Sequence, residues 1–187
     1  MISRRRHDRR HSWICPQLSR FGWLMELYGE NYHHLTRLFA PTELAVGRYL
    51  SPQSGRLRLV VDVIECHRYT FFLRMAYNMR DPQTGLLDPS AYVRIYCDAR
   101  QAEATHCYLG RSMQDVLGCH PAPAVVMHHR LRINTFFGKW LLHLRESGFG
   151  DRPLLPLQPT ESLPLIDHHL PLRRDTETIH SGGQKSP

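Results

Sequence analysis

The chain has 187 residues, 42% hydrophobic and 22% charged, which suits one domain with a packed core and tails. Its longest apolar stretches, "LRLVVDVI" and "YTFFLRMAY", are broken by Asp62 and Arg74 and fall well short of the ~18 residues that span a bilayer, so no membrane association is expected. The formal net charge of +7 is uneven: residues 1–20 carry +5, residues 21–150 carry +3 and residues 151–187 carry −1, and so mildly basic a body argues against a nucleic-acid partner.

The opening segment "MISRRRHDRRHSWICPQ" is rich in Arg but lacks the apolar region and small-residue cleavage site of a secretory signal. Residues 1–20 are therefore expected to form a disordered basic extension of a cytoplasmic protein. Five cysteines (Cys15, Cys66, Cys97, Cys107, Cys119) are an odd number without CxxC spacing, which suits reduced thiols. Cys97 and Cys107 read best as small buried hydrophobes.

A helix is predicted over about residues 21–39, where Leu24, Leu27, Tyr28, Leu35, Leu38 and Phe39 recur at helical spacing and Pro41 stops the chain. A modest strand follows at 44–50, then a turn at 51–55. Residues 56–65 alternate, with Leu57, Leu59, Val61 and Val63 on one face and Arg56, Arg58 and Asp62 on the other. Residues 68–78 repeat the pattern, with Tyr69, Phe71, Leu73, Met75 and Tyr77 together, and the short join "ECHR" points to a hairpin. After a loop at 79–90, two more strands are predicted at about 91–97 and 102–108. In the first, Tyr92, Arg94 and Tyr96 share one face, and Val93, Ile95 and Cys97 share the other.

Residues 110–127 read as irregular. A second helix is predicted over about 128–147, with Ile133, Phe137, Trp140, Leu141 and Leu144 as its buried stripe and Gly148 as its cap. Residues 151–187 are rich in Pro without periodicity and are expected to be disordered. The expected fold is α+β: a single antiparallel sheet of about five strands, with the N-terminal and C-terminal helices packed on one face of residues 21–150.

Two polar sets stand out. Arg94, Tyr96, Asp98 and Glu103 surround the last predicted hairpin. Arg94 there suits a carboxylate or phosphate ligand, or a cross-strand ion pair with Glu103. Asp98 and Glu103 would be an acid–base pair if burial drove their pKa values apart. Glu65, Arg68 and Tyr69, with Asn31 and Arg37, form the second set. There Asn31 and Arg37 would dock the first helix onto the hairpin "ECHR", or simply specify the fold through hydrogen bonds. The pairs His33–His34, His128–His129 and His168–His169 lack metal-ligand spacing, and no metal or cofactor is expected. A nucleophile elbow and a phosphate loop are missing from the sequence.

The blocks "MELYGENYHHLTRLFAP", "ECHRYTFFLRM", "AYVRIYCDARQAEA" and "RINTFFGKWLLHL" resemble, in order and spacing, the YqiB-like bacterial proteins, a family of unknown function. The resemblance covers about residues 23–149. It matches Asn31, Tyr32, Leu35, Arg37 and Leu38, then Glu65, Arg68, Tyr69, Thr70, Val93, Arg94, Tyr96, Asp98, Ala99, Ala102 and Glu103. On the last helix it matches Ile133, Asn134, Phe136, Trp140 and Leu141. Cys97 departs from the pattern, which has His before the Asp, so the resemblance implies no metal or acid–base role there. It implies a cytoplasmic protein and no activity or cofactor.

The reading that follows is a non-enzymatic binding or adaptor module contacting an acidic small molecule or a protein partner. The alternative is a small hydrolase using Asp98 and Glu103 on an anionic substrate. The sequence leaves the oligomeric state open.

Overall fold

Ser19 opens the first helix: its side chain accepts the Gly22 N–H at 3.0 Å, satisfying one free donor of the first turn. That helix, α1 (Arg20–Leu38), buries Leu24, Tyr28, Asn31, Leu35 and Leu38, a stripe stepping by three and four residues. The computed structural model describes residues 19–52, 57–83, 85–107, 113–158, 163 and 166–167. Expectations for residues 1–18 and 168–187 lie outside them.

The strands follow as β1 (Gly47–Leu50), β2 (Leu59–Cys66), β3 (Thr70–Tyr77), β4 (Met79–Arg80), β5 (Ser90–Tyr96) and β6 (Gln101–His106). Then come α2 (Met113–Leu117), α3 (Pro123–Glu146), β7 (Leu155–Pro156) and β8 (Ile166–Asp167). The main sheet has six strands in the order β6-β5-β3-β2-β1-β7, every neighbour antiparallel. A small parallel pair joins β4 to β8.

Alternation sets the layers. Val61 lies opposite Met75, Val63 and Val93 flank Leu73, and Ile95 faces Ala102, all essentially buried on one side of the sheet. That side meets Leu35, Phe137, Leu141 and Leu144 from the two helices, each side chain contributing about 1.5–3 kcal/mol of burial. Trp140 donates its indole N–H to the Tyr77 hydroxyl at 3.1 Å, so its polar edge is satisfied inside the core. The α+β architecture with terminal helices against the sheet is as expected.

Three details differ from the sequence reading. The last helix begins at Pro123 rather than near residue 128, because Pro at the first helical position loses no hydrogen bond. A short helix, α2, lies in the stretch expected to be irregular. Part of the Pro-rich segment expected to be disordered is ordered: Leu155–Pro156 adds the sixth strand by pairing with Tyr49 and Leu50. A two-residue edge strand has no periodicity to read, and Pro is tolerated at an edge. At the end of α3, Gly148 adopts φ 77° and donates to Arg145, while Phe149 donates to Leu144. This paired closure confirms Gly148 as the expected cap.

A polar node locks the helices to the sheet. Asn134 of α3 accepts the Ala104 N–H at 2.8 Å and donates to the Ala104 carbonyl at 3.2 Å, filling the free edge of β6 as another strand would. Asn31 of α1 donates to Asn134 at 3.4 Å.

Candidate functional site

The opposite face of the sheet carries the residues that alternate out of the core. On β5 these are Tyr92, Arg94 and Tyr96. Arg94 lies between Phe72 of β3 and Glu103 of β6 in the register. The pairing shifts between Tyr92 and Val93, so that Tyr92 aligns with His106 and Val93 with Ala104. Thr105 is the extra residue, and this bulge brings both Thr105 and His106 to the same hollow although they are adjacent in sequence. The hollow has a volume of about 470 Å³ and is lined by Phe72, Arg94, Tyr96, Glu103, Thr105, His106 and Arg130.

An aromatic ladder forms one wall. Tyr92 stacks on His106 with centroids 4.1 Å apart, and Phe72 stacks on Tyr92 at 6.0 Å. The Arg94 guanidinium lies 5.1 Å from the Phe72 ring, a cation over an aromatic ring.

Glu103 is held from above by the helices, which reach over the β6 edge. The Tyr28 hydroxyl donates to its carboxylate at 3.0 Å, and Arg130 of α3 pairs with the same oxygen at 3.2 Å. Tyr96 lines the same hollow beside Glu103. Burial first, and the Glu103 charge second, raise the Tyr28 and Tyr96 hydroxyl pKa values above the phenol range, so both remain donors at neutral pH. Burial lowers the His106 pKa, which keeps that ring neutral. The charges around the hollow are thus Arg94 and Arg130 against one carboxylate.

The cross-strand ion pair between Arg94 and Glu103 is not formed. Their backbones are partners, but among the described residues the cation paired with Glu103 is Arg130. The Arg94 Nε is buried with no hydrogen-bond partner among the described residues. Two other arginines of the same sheet face behave differently: Arg48 and Arg74 both pair with Asp62, Arg74 through its Nε at 3.0 Å.

The other sequence-predicted residues are dispersed. Asp98 is exposed in the β5–β6 turn, where it accepts the Ala99 N–H at 2.9 Å, and it does not line the hollow. The structure therefore does not assemble the Asp98–Glu103 pair inside it. Glu65, Arg68 and Tyr69 are exposed around the β2–β3 turn, Glu65 facing His67 at 3.8 Å and Arg68 lying 5.0 Å from the Tyr69 ring. Asn31 is fully buried and hydrogen-bonds Asn134, joining α1 to α3 as the fold-specifying alternative expects, rather than docking on the β2–β3 hairpin. Its position within the apolar stripe of α1 points it at the neighbouring helix. Arg37 is exposed near the end of α3. Only the first of the two polar sets contributes to the hollow.

Residues 34–150 match the family described as "Protein of unknown function (DUF1249)". The chain belongs to this family. The matched span of the DUF1249 protein holds every residue lining the hollow, while Tyr28, which anchors Glu103, lies before it. Comparisons with curated proteins and with solved structures returned no match. No group of three or more His, Cys, Asp or Glu side chains comes together to hold a metal among the described residues. None of the described helices is long and apolar enough to cross a membrane.

The sequence reading missed Tyr28, Phe72, Thr105, His106 and Arg130. Tyr28 sits in an apolar helix stripe that reads as core and meets Glu103 across 75 residues, while Phe72 falls on the outer face of its strand, where the pattern assigns it no role. The bulge that turns Thr105 inward leaves no local mark in "QAEATH".

Proposed function

We propose that this DUF1249 protein is a cytoplasmic binding module. It recognises a carboxylate or phosphate, on a small molecule or a protein partner, in the hollow around Arg94. The observation that carries this reading is the buried Arg94 Nε, which has no acceptor among the described residues. Leaving such a donor unpaired costs about 1–3 kcal/mol, and more for a charged group, which an arriving oxyanion would recover. The guanidinium lies 5.1 Å from the Phe72 ring, and its planar fork suits the two parallel hydrogen bonds that a carboxylate or a phosphate accepts. Arg130 adds a second cation, and Tyr96 and Thr105 add neutral hydroxyls. Glu103 is engaged by Tyr28 and Arg130 and Asp98 stands outside, so acid–base chemistry has less to support it than binding has. The YqiB-like blocks suggest a closer relationship within the family and add no activity.

The test is thermal unfolding of the full chain at pH 7 with inorganic phosphate, acetate, succinate or citrate, each against sodium chloride at matched ionic strength. At least one anion is expected to raise Tm saturably in the parent and not in Arg94→Gln. A response no larger than that of chloride, or the same response in Arg94→Gln, would overturn the reading.

A further inference from the structure

The outer side of the helix pair carries a second surface that neither the core nor the Arg94 hollow uses. On α3 the core takes Ile133, Phe137, Trp140, Leu141 and Leu144. A different stripe, from His128 through Phe136 to Lys139, lines a groove of about 530 Å³ against Arg20 and Trp23 of α1, with the largely buried Leu131 at its floor. Large aromatic side chains are left open to water here: Phe136 is 48% exposed, Trp23 49%, and the adjoining Phe21 60%. Such a cluster is costly on a solvated surface and marks a contact site.

Its charge is one-sided. Among the described residues, the lining includes Arg20 and Lys139 and no acidic side chain. Arg20 lies in the first turn of α1, which contains no acidic residue, so the positive end of the helix dipole adds to the same potential.

We propose that this groove docks an acidic segment of a partner protein, seating an aromatic or aliphatic anchor between Trp23 and Phe136 with carboxylates against Arg20 and Lys139. The charge calls for an acidic partner, and the concave apolar floor calls for an inserted side chain. A bilayer surface, by contrast, would be met by a protruding face. The stripe from His128 to Lys139 runs about 16 Å along α3, room for roughly three turns of a bound helix or five extended residues. Trp and basic side chains around a pocket are the composition in which a few residues dominate affinity. This inference is independent of the Arg94 hollow.

The experiment is selection of displayed random 12-residue peptides on the full chain, followed by affinity measurement on Trp23→Ala, Lys139→Glu and Arg94→Gln. Selected peptides are expected to combine Asp or Glu with an aromatic or aliphatic anchor. Their affinity should fall at least tenfold in Trp23→Ala and in Lys139→Glu and stay within twofold in Arg94→Gln. Both groove residues are exposed, so circular dichroism and Tm should match the parent. Peptides without that composition, or ones indifferent to Trp23 and Lys139, would overturn the proposal. So would the same two variants instead abolishing sedimentation with phosphatidylserine-containing vesicles, binding to polyuridylate or self-association of the chain.

Discussion

Among the described residues, two buried side-chain polar atoms lack a hydrogen-bond partner, Asn31 Oδ1 and Arg94 Nε, and their surroundings differ. Asn31 Oδ1 is pressed against α3 where Gly138 passes: a Cβ on Gly138 would lie 2.8 Å from it. No ligand fits there, and the unsatisfied atom is the cost of bringing two helices close. Arg94, by contrast, lines a hollow of about 470 Å³. An orphaned polar atom signals a ligand only where there is room for one, so the first is a feature of packing and the second a candidate for recognition.

The largest effect should come from the packed side of this comparison. Asn134 serves Ala104 through both its N–H and its carbonyl, and also bonds the Arg130 carbonyl at 3.0 Å. Asn134→Ala is expected to cost about 3 kcal/mol in urea unfolding, since it strands the β6 edge and Asn31 together. A loss under about 1 kcal/mol would mean that water replaces the node.

Gly138→Ala should destabilise by about 1 kcal/mol despite the better helix propensity of Ala, because Asn31 must move. In an Asn31→Ala background the sign should reverse, with Gly138→Ala stabilising by up to about 1 kcal/mol. Additive effects would show that the two residues do not press on each other.

A pH series probes both regions. His34, His106 and His129 all have pKa values lowered by burial, and Arg145, lying 3.1 Å from the His34 Nδ1, reinforces this for His34. The unfolded chain binds more protons at these sites, so their stabilisation is present above the ordinary value of 6.5 and is lost as pH falls below it. Tm is expected to decline between pH 7 and pH 5, less steeply in His106→Gln. An anion bound in the hollow should flatten the decline by favouring protonated His106, and an unchanged slope with ligand would place the anion elsewhere.

The smallest stability change is expected at Arg94 itself. Arg94→Gln removes an unpaired buried donor, which stabilises, and the contact of the guanidinium with Phe72, which destabilises, so the two offset and unfolding free energy should change by less than about 0.5 kcal/mol while anion binding disappears. Tyr28→Phe, which takes a real bond from Glu103, should cost about 1 kcal/mol. If Arg94→Gln cost more than Tyr28→Phe, Arg94 would belong with the packing residues.

Much of the fold was legible because burial repeats locally. Leu59, Val61 and Val63 alternate, as do Phe71, Leu73 and Met75, and the stripes of α1 and α3 step by three and four. A side chain's distance from the core is written in such periods. The glycine after α3 was legible for a similar reason: a helix end needs a residue that tolerates positive φ.

The candidate site was legible only as a set of residue types near one hairpin. The sequence placed Arg94, Tyr96 and Glu103 on the outer side of the sheet. Tertiary structure then decided their partners: α1 and α3 cross the β6 edge so that Tyr28 and Arg130 claim Glu103, and Arg94 is left with Phe72. It also decided that Asn31 meets Asn134, that Asp98 stays outside, and that Leu155–Pro156 joins the sheet. Hydrophobic period is a property of neighbours along the chain. Which polar group satisfies which depends on side chains brought within about 3 Å from segments far apart in sequence, and no local pattern encodes that distance.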